Sequence, residues 1–420
     1  MEIIGILVLF IVGIYFTFKL KFLNFNLKLI IKSLFKNESN EGITPFQTLC
    51  ISLASRIGVG SLSGVILALY VGGLGSIFWI WISTLLCSSN TLVESILSIK
   101  YRKSIGNNMY EGGPFYYIKM GLNKKYLSFL YALIFLFAYT CGFLTIQSNT
   151  ISKIVTEIVP INPIVIGIII VVLTSLIIFK GIKEIAGVVS KLVPFMAILY
   201  MATCLLIIFK NIDLVSNIFI KIITSAFNMK SFFTGFIIGC TKSIFSTEAG
   251  LGTGAIASSA PSSTDEVSQG LIQVFGIFFD TFIVSTLTIF VVLSSPYELL
   301  NFSNINGIEI TRYAFTYHLG TYGGLILIVS LILFAFSTII GGYYYGEIAL
   351  KYITQKENTT IFKIIILILL LISTIISPTI IWDLIDKFIV ILALINTYSL
   401  ILLRKEVFKI VKKYDKINKK

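Results

Sequence analysis

Ten runs of 16 to 32 mostly apolar residues follow one another between residues 45 and 404, separated by polar or amphipathic breaks. Inside a bilayer every backbone N–H and C=O must be bonded within the protein, so only helices and closed barrels can span it. A spanning helix needs about 20 apolar residues and a barrel strand about half that, which makes these runs helices. The approximate limits are 45–70, 75–102, 126–157, 162–180, 186–209, 232–260, 266–294, 322–350, 361–376 and 379–404. An eleventh run, Ile3 to Phe18, lacks a basic start and a small-residue cleavage site, and lysines follow it at Lys19, Lys21 and Lys28. It reads as a retained helix with its N-terminus outside. The expected fold is an all-α polytopic membrane protein of about 11 transmembrane helices.

Lysine and arginine placement tests that layout independently of hydropathy. With alternating spans, segments 19–36, 100–125, 180–191, 351–363 and 404–420 fall inside and hold 25 of these residues. The outer segments hold six: Lys153, Lys210, Lys221, Lys230, Arg312 and Lys387. This is the positive-inside bias, and removing one early helix would destroy it. The net charge of +13 therefore reflects topology; no basic face interleaved with aromatics points to nucleic acid. The five cysteines form no CxxC and read as small apolar residues, while His318 alone makes no metal cluster.

The ten core spans divide into five and five, residues 45–209 and 232–404. An odd number per half turns the halves in opposite directions, which predicts an inverted repeat behind an extra N-terminal helix and a basic inner-surface segment, 1–44. Residues 405–420 form a basic cytoplasmic tail. Each half opens with a glycine-broken run, SRIGVGSLSG at Ser55–Gly64 and FSTEAGLGTG at Phe245–Gly254. Small residues also serve plain helix packing, but two matched breaks carrying hydroxyls point to a binding site.

The chemistry of such breaks is specific. Half-helix N-termini offer unpaired N–H groups to a carboxylate, and freed carbonyls can bind a cation or an ammonium group. Gly58, Gly60, Gly64, Gly250, Gly252 and Gly254 let the backbone approach a small ligand, with Ser61, Ser63, Ser246 and Thr247 supplying hydroxyls. Glu248, a carboxylate at membrane depth, needs a partner. Arg56 and Lys242 flank the breaks as snorkelling charges or, for Arg56, as part of an inner gate. Gln147, Ser148 and Asn149, and Ser337 and Thr338, are polar clusters on apolar helices. Glu94, Asp280, Asp383 and Asp386 read as structural or capping acids, with a proton relay through Glu94 or Asp280 left open. Stretches before 232 and at 298–320 are too weakly apolar to span and suit caps or gates.

Several motifs in fixed order resemble the alanine or glycine:cation symporter family, amino acid transporters with a leucine-transporter-type fold. They include SRIGVGSLSGV, GGLGSIFWIWISTLL, GGPFYYI, QSN at 147–149, FSTEAGLGTGAIA, QGLIQVFGIFFDTFIV, FAFSTIIGGYYYGE and WDLIDKF. The resemblance implies sodium-coupled import of a small neutral amino acid, alanine or glycine, across the plasma membrane by alternating access. It implies backbone N–H groups of Gly58, Val59 and Gly60 for the substrate carboxylate, with Phe245, Ser246 and Gln147 facing the substrate. Sodium, the coupling ion and the sole expected cofactor-like species, would bind Ser337, Thr338 and the carbonyls of Ala54 and Ile57. Ser61 and Thr247 stand where the family usually has Asn, replacing an amide by a hydroxyl. The alternatives are a proton-coupled or exchange transporter of the same fold and a membrane-embedded enzyme; the last lacks clustered catalytic groups, so the expectation is a secondary transporter and no enzyme.

Overall fold

The computed structural model describes residues 2–35, 42–106, 108–229, 232–262, 265–296, 307–376 and 379–418. The chain opens with α1 (Glu2–Lys19) and the short α2 (Leu27–Leu34), whose first turn is capped by the Asn26 side chain accepting from Leu29 N–H at 3.1 Å. The first core span is broken as the glycines demand. Helix α3 (Pro45–Arg56) starts at a capping box, with Thr44 and Gln47 exchanging hydrogen bonds of 3.2 and 3.0 Å. It stops at Arg56; a π-turn at Gly60–Gly64 leads into α4 (Val65–Gly72), bent from α3 by 55°.

Helix α5 (Gly75–Lys100) follows, then a two-stranded antiparallel hairpin, β1 (Lys103–Gly106) and β2 (Met109–Glu111). The first half ends with α6 (Pro114–Gly121), α7 (Lys125–Phe137), a π-turn at Ala138–Phe143, α8 (Leu144–Thr156), α9 (Pro163–Ile178) and α10 (Ile182–Lys210). Next come α11 (Ile212–Ala226), α12 (Phe232–Thr247), α13 (Thr253–Ser259), α14 (Glu266–Phe278), a π-turn at Phe279–Ser285 and α15 (Thr286–Leu293). Helices α16 (Gly307–Thr354), α17 (Thr360–Ser373) and α18 (Thr379–Asn418) complete the fold.

Among the described residues six helical segments are long and apolar enough to cross a membrane, and the bent α3–α4 pair makes a seventh. Helices α1, α9 and α17 are apolar but shorter. The expected span at 322–350 is the second part of α16. Gly320, at φ 64 and ψ −158, breaks that helix, so the preceding segment that was expected to be a weak cap is helical from Gly307. Asp383, Asp386, Lys230 and residues 298–306 fall outside the described residues or side chains.

Helix α5 is the hub, packed against α1, α11, α12, α13 and α14. In lipid, apolar surface gives helices little reason to associate, so hydrogen bonds and close approach matter more. Buried polar residues of α5 supply them. Ser89 Oγ donates to Gly13 O at 2.8 Å, Asn90 Nδ2 to Leu9 O at 3.1 Å, and Ser98 Oγ to Ala255 O at 2.5 Å. Charged residues gather at the two ends of the bundle. One end holds Lys100–Glu406 at 2.5 Å and Lys351 between Glu111 and Glu357 at 3.1 and 3.3 Å; the other holds Arg312–Glu157 at 3.0 Å.

Candidate functional site

The two breaks lie side by side in the core. In the second, Glu248 adopts φ 54, and Gly250 and Gly252 follow at φ 81 and 85, left-handed values that glycine accepts without strain. This turn is held from three helices. Gly252 N–H donates to Glu94 Oε2 of α5 at 3.0 Å. Asn396 Nδ2 of α18 donates to the same oxygen at 2.9 Å and to Gly250 O at 2.8 Å. Tyr117 of α6 donates to Asn396 Oδ1, and Tyr131 of α7 donates to Leu251 O at 2.6 Å.

Between the breaks is a cavity of about 20 Å³, lined by Ser55, Arg56, Gly58, Gly60, Phe143, Ile146, Gln147, Phe245 and Glu248. That is room for one water and less than any amino acid needs. The site is therefore contracted in this conformation. Its aromatic wall is a stack of Phe245 on Phe143, centroids 5.7 Å apart. A Cβ on Gly60 would lie 3.0 Å from the Phe245 ring, so the ring rests directly on the first break. A Cβ on Gly58 would lie 2.8 Å from Thr338 Oγ1 and 3.4 Å from Gln147 Nε2, which shows why backbone alone fits there.

Of the residues expected to hold sodium, Thr338 and Ala54 meet where α3 packs on α16. Thr338 Oγ1 lies 2.9 Å from Ala54 O and 2.9 Å from Phe334 O. A hydroxyl has one proton for these two acceptors, and Phe334 O is already served within α16 by Ser337 Oγ, so Ala54 O at the end of α3 is the carbonyl that depends on Thr338. A hard cation at this point would satisfy both carbonyls and the hydroxyl, and oxygen donors of this kind suit it. Ser337 donates back to Phe334 O at 2.8 Å within its own helix, and the side chain of Ile57 is fully buried.

The buried charges surround this centre. Arg56, 3 % exposed, donates through Nη1 to Gln273 O at 3.3 Å and to Ser52 Oγ at 3.5 Å. It forms no direct ion pair among the described residues. Its Nη2 packs against Gly254, where a Cβ would lie 2.8 Å from that nitrogen and 3.1 Å from Glu94 Oε1, and neither Nη2 nor Nε has a hydrogen-bond partner among the described residues. Ser55 Oγ bonds both Glu248 oxygens at 3.4 Å. Lys242 places its ammonium 5.7 Å from the Phe245 ring centroid, in cation–π range.

Other expected residues sit beside the cavity without lining it. Ser61 Oγ and Ser246 Oγ are 3.1 Å apart, and Ser61 donates to Arg56 O at 3.0 Å. Thr247 bonds back to Ser243 O at 2.7 Å, Gly250 lies in the turn held by Asn396, and Val59 is buried. Sequence reading did not single out Ser55, Phe143, Ile146 or Asn396 as site residues. Phe143 stands four residues before Gln147, on the same helix face, and ends a π-turn, a feature frequent at functional sites. Asn396 is a lone amide in an apolar run, itself a signal at membrane depth.

A larger cavity of about 620 Å³ opens at the lysine-rich end, among Ile43, Glu111, Lys180, Tyr344, Glu347 and Lys351. Tyr344, on its lining, is six residues along α16 from Thr338, about 9 Å of helix. This vestibule is lined by charged side chains, Glu111, Glu347, Glu357, Lys180, Lys183, Lys351 and Lys363.

A solved structure titled "Crystal structure of MhsT in complex with L-phenylalanine" shares this fold, with a TM-score of 0.64 at 12 % identity over 87 % of this chain and 90 % of that one. The probable sodium/glutamine symporter GlnT of Bacillus subtilis is 33 % identical over 97 % of this chain and 87 % of its own length. The sodium/alanine symporter AgcS of Methanococcus maripaludis is 31 % identical over 97 % of this chain and 93 % of its own length. The family model described as the sodium:alanine symporter family matches residues 1–420, and with relatives covered this fully the chain belongs to that family of multi-pass membrane transporters.

Proposed function

We propose that this protein imports a small neutral amino acid, alanine or glycine, across the plasma membrane together with sodium, by alternating access. The observation that carries this reading is the junction of α3 and α16. Thr338 reaches the Ala54 carbonyl across it, two residues before the Arg56 end of α3 and beside the cavity that Gly58, Gln147 and Phe245 line. The names of the relatives, an alanine and a glutamine symporter among them, support an amino acid substrate, and the tight Phe245 wall favours the smallest ones. In this reading Gly58, Val59 and Gly60 present N–H groups to the carboxylate, Gln147 and Phe245 contact the substrate, and Ser61, Ser246, Thr247 and Gly250 shape the breaks around it. Ala54, Ile57, Ser337 and Thr338 hold sodium. Arg56, Glu248 and Lys242 are gating or structural charges.

The same reading assigns residues 45–209 and 232–404 to an inverted repeat, for a total of eleven spans. The N-terminus lies outside and the tail 405–420 in the cytoplasm, as the distribution of lysine and arginine favours. Uptake of labelled alanine into proteoliposomes is expected to need an inward sodium gradient. Equal uptake with sodium replaced by potassium at fixed pH overturns the coupling. Thr338→Ala is expected to raise the sodium concentration for half-maximal uptake at least tenfold, and Ser337→Ala less, because Ser337 bonds within its own helix.

A further inference from the structure

The first part of α16, residues 307–319, lies at the end of the bundle opposite the lysine-rich vestibule, where Arg312 meets Glu157. Its buried residues, Gly307, Ile310, Thr311, Ala314 and Phe315, recur every three or four positions, so one face of this helix packs inward. That face reaches the first break: a Cβ on Gly307 would collide with the Ser63 carbonyl, in the π-turn. Phe315 stacks on Tyr200 of α10, with centroids 5.8 Å apart. At the far end Gly320, at φ 64 and with open space around an added Cβ, separates the segment from the rest of α16. The segment is a cover over the first break, jointed at a glycine that can turn without a clash.

One side chain ties this cover to two neighbours just before the joint. It is His318, half-buried and the single histidine of the chain. Asn211 Nδ2, at the end of α10, donates to Ile207 O at 2.8 Å and to His318 Nδ1 at 3.4 Å. Ser294 Oγ, just after α15, donates to Val291 O at 2.9 Å and lies 3.0 Å from His318 Nε2. These partners fix the protons. An amide nitrogen only donates, so Nδ1 must accept; the serine proton is used on Val291 O, so Nε2–H donates to Ser294 Oγ. The bridge therefore needs the neutral ring. A second proton, on Nδ1, would face the Asn211 donor, and turning the amide to offer its oxygen would give up the bond to Ile207 O.

Around the ring α10 brings Lys210, α11 brings Asp213 in its first turn, and α15 brings no titratable group. Its own helix brings Tyr317, edge-on at 5.0 Å, and Arg312, paired with Glu157 at the end of α8. His318 precedes the membrane-spanning part of α16, and burial pushes its pKa below the ordinary histidine value; the Val291 carbonyl opposes that shift and the Lys210 charge adds to it.

We propose that His318 is a pH-sensitive latch on this cover: neutral, it holds residues 307–319 down on the first break, and protonated, it lets them swing at Gly320. The latch does not depend on which ion or amino acid is carried. Under the alternating-access reading its release favours the state in which the first break is exposed on that side. The latched ring takes up a proton less readily than a free one, so the hold is complete above the ordinary histidine range and is lost as the pH falls through and below it.

Because His318 stands alone, isotope-labelled histidine in the purified full-length protein, free of any polyhistidine tag, reports on it directly. Its nitrogen signals are expected to show a neutral ring protonated at Nε2 at about pH 7.5. Backbone hydrogen exchange over residues 307–319, corrected for the intrinsic pH dependence of exchange, reads the cover. Protection is expected to fall at least tenfold in the parent from about pH 7.5 to about pH 5. His318→Gln, whose amide can accept from Asn211 and donate to Ser294 at any pH, is expected to stay protected at both. Asn211→Asp, which offers the imidazolium an acceptor, is expected to stay protected in acid as well. A neutral ring protonated at Nδ1, or parent protection indifferent to pH, overturns the latch. A fall in acid that either variant keeps in full overturns it too, and passes the response to Asp213 or to the Arg312–Glu157 pair.

Discussion

At the scale of single residues, the site depends on two places where a methyl group would not fit. A Cβ on Gly58 would meet Thr338 Oγ1 and the Gln147 amide, so that the first break, α16 and α8 come close together there. A side chain there must push α3 from α16, and the hydroxyl that reaches Ala54 O is the first contact to suffer. Gly58→Ala is expected to lower alanine uptake at least tenfold, equivalent to about 1.4 kcal/mol of lost site stabilisation, while folded yield stays near the parent's. Gly64→Ala is the matched control. It ends the π-turn that follows Gly58, has nothing within 4 Å of its added Cβ, and keeps an ordinary helical backbone at φ −65. Its uptake is expected to stay within twofold of the parent's. Similar losses in both variants would mean that helix flexibility, and not the approach to Thr338, makes Gly58 necessary.

At the scale of elements, neighbouring helices hold the freed backbone of the second break. Three π-turns, at Gly60–Gly64, Ala138–Phe143 and Phe279–Ser285, converge on the cavity and on Asp280, each shifting the helix face that follows it. The second break hangs on Asn396, which joins Glu94 and Gly250 O and accepts from Tyr117. Asn396→Ala removes a bond to a buried carboxylate and one to a carbonyl, so a loss of about 2–3 kcal/mol of stability is expected, against about 1 kcal/mol for Tyr117→Phe. Thermal unfolding in detergent, with both variants beside the parent, measures the order; equal midpoints for all three would show that Asn396 is not the latch. The sequence makes the breaks themselves legible, because Gly and Ser in an apolar run leave few other conformations at SRIGVGSLSG and FSTEAGLGTG. What it hides is rotation. A π-turn adds a residue to one turn without a composition signal, and this is why the face carrying Asp280 toward Ser246, or Phe143 toward Phe245, cannot be counted out from a 3.6-residue period. The helix before Gly320 was equally hidden: the stretch 298–320 read as too weakly apolar to span, whereas the chain is helical from Gly307 and passes through Gly320 as a break within α16.

At the scale of the whole molecule, the arrangement is asymmetric along its long direction. The vestibule of about 620 Å³ opens at the lysine-rich end and reaches Tyr344, while the cavity between the breaks holds only about 20 Å³. Between them α3 packs against α16, on which Tyr344 and Tyr345 are buried. Thr338 and Ala54 meet at that contact. An ion bound there ties α3 to α16, so it must favour the state in which the path between vestibule and cavity is shut, and its release must favour the state in which it opens. Ile348, on the vestibule wall, reports on that change. With Cys141 first replaced by Ser, since among the native thiols it alone is exposed, Ile348→Cys is expected to react with a membrane-impermeant thiol reagent applied from the cytoplasmic side. Sodium with alanine is expected to alter the rate at least threefold, and sodium alone to slow it in the parent but not in Thr338→Ala. Reaction only from the outer side would reverse the orientation assigned by the lysines. A rate indifferent to sodium in every variant would separate the ion junction from the gate that it is expected to close.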